Sequence, residues 1–356
     1  MLFDPFDTPL LHFKNRAVMS PMTRNRALGN VPNALMAEYY AQHATAGLII
    51  TEGTSPSANG LGYPRIPGLF DAEQARGWRQ VTDAVHAAGG TLFVQFMHTG
   101  RVTHVANLPP NAEVLGPMDS ACPGEMYTDS LGMQPHSPPR AMTEGDIAQA
   151  VREFARAARR AVEAGFDGVE LHAANGYLIE QFLNANVNQR NDRYGGSIES
   201  RNRFALEVAR AVAAEIGPAR VGIRLSPYGV FNSTGPYADA SSQYFALADE
   251  LSNIGLLYMH VLDHAAMGAP PVPEELKTGL RERFKGAFIL AGGFDKQRAE
   301  QALRDNRADL IAFGRPFLAN PDLVERMRKD APLNAPDMAT FYVPGPKGYT
   351  DYPTLA

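Results

Sequence analysis

The sequence predicts a (β/α)8 barrel on three observations: eight short apolar runs, amphipathic helical patterns between them, and no Gly-x-Gly-x-x-Gly turn after the first run. A chain of 356 residues with 45% hydrophobic content can bury a core of that size. No Pro/Gly/Ser linker divides it, so residues 1–356 are expected to form one domain. A doubly wound sheet is the weaker choice.

In chain order the runs are "RAVMSP", "GLIITEG", "TLFVQFMH", "GVELHAA", "RVGIRLSP", "LLYMHVLD", "AFILAGGF" and "DLIAFGRP". The segments between them, such as "AQAVREFARAARRAVEAG" and "RNRFALEVARAVAAEIG", repeat apolar residues at helical spacing. Thr143 and Asp146 make a capping-box pattern before the longest helix, and Asn320 with Pro321 in "NPDL" is expected to start another. Residues 101–140, after the third run, are rich in Pro and Gly and too long for a plain βα connection. They carry too much Leu, Met and Tyr for a flexible linker and are expected to pack over the barrel mouth as a lid. The opening "MLFDPFDTPLLHF" is expected to plug the opposite end.

Charge and composition exclude several function classes. A formal net charge of −5 offers no basic footprint, so nucleic acid is not an expected partner. No apolar run approaches a membrane span, and the N-terminus lacks a basic segment followed by an apolar core, so a cytoplasmic protein is expected. The single cysteine, Cys122, excludes an internal disulfide and an all-cysteine cluster within one chain.

Active sites of such barrels stand where strands end in βα loops. The first run ends at Thr23, the second at Gly53, and the third carries Gln95 and Met97 on one face. The fourth places Glu170 and His172 on one face by strand alternation, with Asn175 and Tyr177 just beyond its end. The fifth carries Arg224. Gly292 and Gly293 end the seventh, Gly314 and Arg315 the eighth, and this pair suits a phosphate held by bare backbone N–H groups and a guanidinium. That phosphate fits a sugar phosphate, pyridoxal phosphate or FMN. None of the runs contains lysine, which removes the obvious Schiff-base nucleophile. Glu52, Glu170 and Asp263 are the acids a metal site would need, yet Glu170 sits one layer below His172 and no metal is expected. An isoalloxazine ring suits the rest: Gln95 for its pyrimidine edge, Thr23 for a carbonyl, and Arg224 for the negative charge of the reduced ring.

The motifs "PMTRNRA", "VQFMHTGR", "GFDGVELHAANGYLIEQFLNANVNQRNDRYGGSIESRNRF", "GIRLSP", "FGRPFLANPDL" and "GYTDYPTL" run nearly from end to end. Together they resemble the old yellow enzyme family of FMN-dependent ene-reductases. The likeness is strongest to its classical bacterial branch, that of the N-ethylmaleimide and pentaerythritol tetranitrate reductases. Thr23 stands where a second branch carries cysteine. The resemblance implies non-covalent FMN held by Thr23, Gln95 and Arg224, with backbone near Pro21, Met22 and Gly53 lining the ring and Gly292, Gly293, Gly314 and Arg315 holding the phosphate. It implies hydride transfer from NADPH or NADH, through FMN, to the β-carbon of activated alkenes: unsaturated carbonyls, maleimides and nitroalkenes, with nitrate esters as further substrates. His172 and Asn175 would bind the substrate oxygen, Tyr177 would supply the proton, and Tyr63 and Tyr342 would line the pocket.

Two positions depart from that pattern. Met97 replaces a tryptophan and Asn232 stands where some relatives carry glutamine, which puts substrate preference in doubt. The rival readings are a phosphate-binding isomerase or lyase without redox chemistry and a non-catalytic flavin carrier. The sequence leaves monomer and dimer equally open.

Overall fold

The computed structural model describes residues 1–355. Each apolar run is a strand: β1 (Ala17–Met19), β2 (Leu48–Thr54), β3 (Leu92–Phe96), β4 (Gly168–Ala173), β5 (Val221–Leu225), β6 (Tyr258–Leu262), β7 (Ala287–Ala291) and β8 (Leu310–Phe313). They pair in parallel in this order, and β8 pairs back onto β1 to close the barrel. Every residue of these strands is buried, which is why the runs are apolar on both faces rather than alternating.

The helices α1 (Ala34–Gln42), α2 (Ala72–Ala87), α3 (Glu144–Glu163), α4 (Leu178–Leu183), α5 (Ile198–Ile216), α6 (Ala240–Ile254), α7 (Glu274–Arg283), α8 (Lys296–Arg304), α9 (Arg315–Ala319) and α10 (Leu323–Arg328) cover the outside. Thr143 and Asp146 form the capping box of α3, and Asp71 with Gln74 forms one on α2. The expectation for "NPDL" is corrected. Asn320 ends α9 instead of starting a helix, and α10 begins only after Asp322. The Asn320 amide donates to Pro316 O at 2.7 Å and accepts from Asn334 N at 2.7 Å, so it is spent on tying the chain that follows.

Large rings fill the lower barrel. Phe93 of β3 and Tyr258 of β6 pack with centroids 5.8 Å apart, and neighbouring strands carry glycine where these rings lie. A Cβ on Gly168 would meet Phe93 at 2.3 Å, and one on Gly222 would meet Tyr258 at 2.1 Å. Phe13 closes the bottom, joining Val18, Leu48, Ile50 and Ile289 in one buried cluster. It is carried by the antiparallel pair Phe6–Asp7 and His12–Phe13, so the N-terminal segment does plug the lower end. Among the described residues the lower interior is packed by this cluster, and the cavity opens at the carboxyl ends of the strands.

Residues 101–140 are partly regular, with an antiparallel pair Glu125–Thr128 and Gly132–Pro135. Asn107 Nδ2 donates to Gly62 O at 2.9 Å, while Arg101 and Cys122 donate to Asn232 O at 3.4 and 3.6 Å.

Replacing Gly222 by alanine is expected to destabilise the protein by about 1–3 kcal/mol, because the added methyl must displace a packed ring. Gly145→Ala, exposed in the first turn of α3 with its nearest neighbour at 3.5 Å, is expected to be neutral or stabilising. Urea midpoints of the two variants check the contrast.

Candidate active site

A cavity of about 600 Å³ opens at the carboxyl ends of the strands. Its wall begins at the end of β1 with Ser20, Pro21, Met22 and Thr23, and continues through Asn175 and Tyr177 after β4, Arg224 of β5 and His264 after β6. Gly292 and Gly293 after β7, Gly314 and Arg315 after β8, and Tyr63 and Tyr342 line it as well.

The turn after β4 is held from every direction. Asn175 adopts φ 59° and Gly176 φ 75°, a left-handed pair that an Asn-Gly sequence favours but that costs free energy for Asn. Asn175 N donates to Ser226 Oγ at 2.9 Å, and Asn175 O accepts from Asn232 Nδ2 at 2.7 Å. Gly176 N donates to Glu180 at 2.6 Å, Gly176 O accepts from Gln181 Nε2 at 2.8 Å, and Ser226 Oγ itself donates to Glu180. Glycine is required here for space as well, since a Cβ on Gly176 would lie 2.7 Å from Phe231 O. Asn232 is thus part of the turn's scaffold, linking it to Arg101 and Cys122 in the 101–140 segment.

Burial governs the electrostatics. It pushes His172 well below its ordinary range, with the Arg224 guanidinium adding to the effect, so the imidazole is neutral. His264 is pushed down to about 4 for the same two reasons. Tyr177 is pushed up to about 12, again by burial, and therefore keeps its proton; its hydroxyl donates to Tyr63 OH at 3.1 Å. Arg224 is lowered by burial against the raising influence of Glu170.

The far wall depends on two fully buried arginines. Arg24 donates to Phe341 O and Gly348 O, and Arg26 donates to Phe341 O, Thr340 O and Gly345 O. Together they clasp the C-terminal segment that carries Tyr342, whose side chain is 59% exposed at the mouth.

Gly53, Gln95, Met97 and His172 are absent from the cavity wall. Met97 is 1% exposed and packs with Leu61 and Ile66, and a Cβ on Gly53 would strike its sulfur at 2.6 Å. His172 lies edge-on behind Tyr177, ring centroids 4.9 Å apart. The sequence reading missed Ser20, Phe231 and His264. The last stands right after the sixth run, where the strand-end rule would have found it. The acids considered for a metal are dispersed: Asp263 is engaged by Lys277 and the Val272 and Ala265 amides, and Glu52 by Tyr40 and Arg24 N. Among the described residues no His/Cys/Asp/Glu group is arranged for a metal ion.

The arrangement fits FMN. Buried polar atoms without a partner converge on β4, β5, β6 and the loops that follow them: His172 Nδ1, Asn175 Oδ1, Arg224 Nε and His264 Nδ1. Gly292 (φ 130°) and Gly293 (φ 64°) adopt backbone that other residues rarely take, and a Cβ on Gly292 would lie 2.3 Å from Asp263 O. In front of Gly314 the nearest atom is Met22 Sδ at 3.9 Å, which leaves bare backbone beside the Arg315 side chain. A cation, uncharged donors and an open glycine-rich turn suit a flavin ring with one phosphate.

Comparison with known proteins agrees with this reading. Residues 1–334 match the family described as NADH:flavin oxidoreductase / NADH oxidase. Morphinone reductase in complex with tetrahydroNAD superposes with a TM-score of 0.95 at 44% identity, covering 100% of this chain and 98% of that one. The old yellow enzyme homologue of Zymomonas mobilis gives 0.95 at 39% identity over 99% of both chains. 12-Oxophytodienoate reductase 1 of Oryza sativa subsp. japonica is 43% identical over 99% of this chain and 93% of its own length.

Glu180, buried beneath the turn, is pushed up to about 8 by desolvation. The folded state therefore binds a proton that the unfolded state, with its carboxyl near 4.5, releases, and stability falls as pH rises from about 4.5 toward 8. The buried histidines His43, His98, His172 and His264 are lowered and contribute slope only below about 6.5. Glu52, pushed up to about 7, adds to the decline. Melting temperature is expected to fall between pH 6.5 and 8, and Glu180→Gln to flatten part of that fall. An equal slope in the variant would show that Glu180 is already ionised at neutral pH.

Proposed function

Because this chain belongs to the NADH:flavin oxidoreductase / NADH oxidase family, that of the old yellow enzymes, we propose that it reduces the activated double bond of unsaturated carbonyls, maleimides and nitroalkenes. It is an NAD(P)H-dependent oxidoreductase that uses FMN, and relatives named for the reduction of 12-oxophytodienoate and morphinone support an alkene bearing a carbonyl group. Family membership overturns the isomerase, lyase and inert-carrier readings. Nitrate esters remain a further proposed substrate class.

The observation that carries the proposal is the convergence of the Asn175 amide, the Tyr177 hydroxyl and the Arg224 guanidinium on one cavity beside a neutral His172. In this reading Thr23, Gln95 and Arg224 hold the flavin ring, Pro21, Met22 and Gly53 lie along it, and Gly292, Gly293, Gly314 and Arg315 hold the phosphate. The bound flavin supplies hydride, taken from NADPH or NADH, to the β-carbon of the alkene. As hydride arrives, charge builds on the carbonyl or nitro oxygen. His172 and Asn175 each offer an N–H to that oxygen without a second buried positive charge, and the clamped turn keeps the amide in place before substrate binds. Tyr177, holding its proton throughout the physiological range, delivers it to the α-carbon. Tyr63, hydrogen-bonded to Tyr177 and on the same wall, is placed to pass a proton back. Tyr342 and the 101–140 segment close over the substrate, the latter as a lid. Met97 acts indirectly in this scheme, by supporting Tyr63 and Tyr177 from behind.

Two measurements test the proposal. Acid release and chromatography of the cofactor are expected to give FMN; FAD or no flavin after reconstitution would remove the reading. Tyr177→Phe is expected to leave flavin reduction by NADPH nearly unchanged and to slow reoxidation by cyclohexenone roughly 10²–10⁴-fold. Nitrostyrene should be affected far less, because a nitronate can leave the site and be protonated in water. Stopped-flow reoxidation reads the difference, and equal small losses with both substrates would take Tyr177 out of the chemistry.

A further inference from the structure

One buried network lies below the cavity, and of its members only Gln95 enters the steps above. Glu170 of β4 and His260 of β6 are both 0% exposed. Glu170 Oε1 accepts from Gln95 Nε2 at 2.8 Å, and Oε2 accepts from Tyr258 OH at 3.1 Å and from His260 Nδ1 at 2.9 Å. Gln95 and Tyr258 donate to the carboxylate, and His260 does so in the tautomer that carries its proton on Nδ1. Strand register sets Glu170 level with Gln95 and Gly222, and His172 level with Arg224 and His260. Arg224 therefore stands two residues further along, about 7 Å nearer the mouth. Among the described residues its Nε has no partner.

This placement has two consequences. Because Glu170 takes the NH2 end of Gln95, the carbonyl end of that amide is the one left free for a ligand, so the carboxylate decides which way the amide faces. Because Glu170 and Arg224 are both buried, at 0% and 6% exposed, the carboxylate charge is screened little and opposes the Arg224 charge at any point above both. We propose that Glu170 is a positioning residue that sets the reduction potential of the bound flavin, orienting Gln95 and offsetting part of the Arg224 charge. The inference rests on the flavin reading given above. A ring stabilised by Arg224 alone would hold its added electrons more firmly. The buried carboxylate keeps the reduced state within reach of both nicotinamide and substrate.

The test is the midpoint potential of the purified holoprotein, titrated against a reference dye, with FMN dissociation constants measured by fluorescence. Glu170→Gln removes the charge and is expected to favour reduced over oxidised FMN about tenfold more than in the parent, a rise of about 30 mV for a two-electron couple. It should also weaken oxidised FMN binding, because the Gln95 amide is no longer held one way. Tyr258→Phe keeps Glu170 and its contact with Gln95 but strips one donor from the carboxylate. Its potential is expected to fall, by about threefold in the same ratio. A packing defect would lower the melting temperature of both variants without moving their potentials in opposite directions. Parental potentials in both would overturn the proposal, and if Glu170→Gln does not fold, a Tyr258→Phe potential that is unchanged or raised overturns it alone. A parent protein that binds no flavin would instead overturn the FMN reading.

Discussion

A closed ring of parallel strands encloses a volume that side chains must fill, and this constraint organises the rest of the molecule. Here the filling is uneven. Phe93, Tyr258 and the plug residue Phe13 occupy the lower barrel, with Gly168 and Gly222 yielding space to the rings. The layers above hold Gln95, Glu170, His172, Arg224 and His260, polar groups that no apolar core would accept unpaired. Because Phe13 and its neighbours pack the bottom, these groups face the mouth, where the cavity lies.

Rigidity of the site follows from the same architecture. Asn175 sits in a left-handed conformation that a free chain would seldom hold, yet four neighbouring side chains, from Ser226, Asn232, Glu180 and Gln181, fix its turn. Strain kept by surrounding contacts is a form of preorganisation, since the groups that will meet developing charge do not have to be gathered during the reaction. On the opposite wall Arg24 and Arg26 do comparable work through main-chain carbonyls. Each buried guanidinium finds acceptors on the C-terminal segment, which binds residues more than 300 positions apart into one surface.

The strands, the helix punctuation at Thr143, the N-terminal plug and the polar residues at strand ends were all decided by the sequence itself. Burial on both faces demands apolar runs of strand length, and a capping side chain acts within three residues, so these features leave local traces. Asn320 shows where local reading stops: its amide is engaged by Pro316 and by Asn334, and the second partner is fourteen residues away. Met97 shares a strand face with Gln95, but only the packed structure turns its side chain onto Gly53, Leu61 and Ile66 instead of the cavity. Alternation names the face of a strand; closure of the barrel decides which neighbours a side chain meets there. The Glu170 network, the role of Asn232 and the arginine clasp join strands and loops far apart in sequence, and no periodicity records which distant groups the closing barrel brings within hydrogen-bond reach.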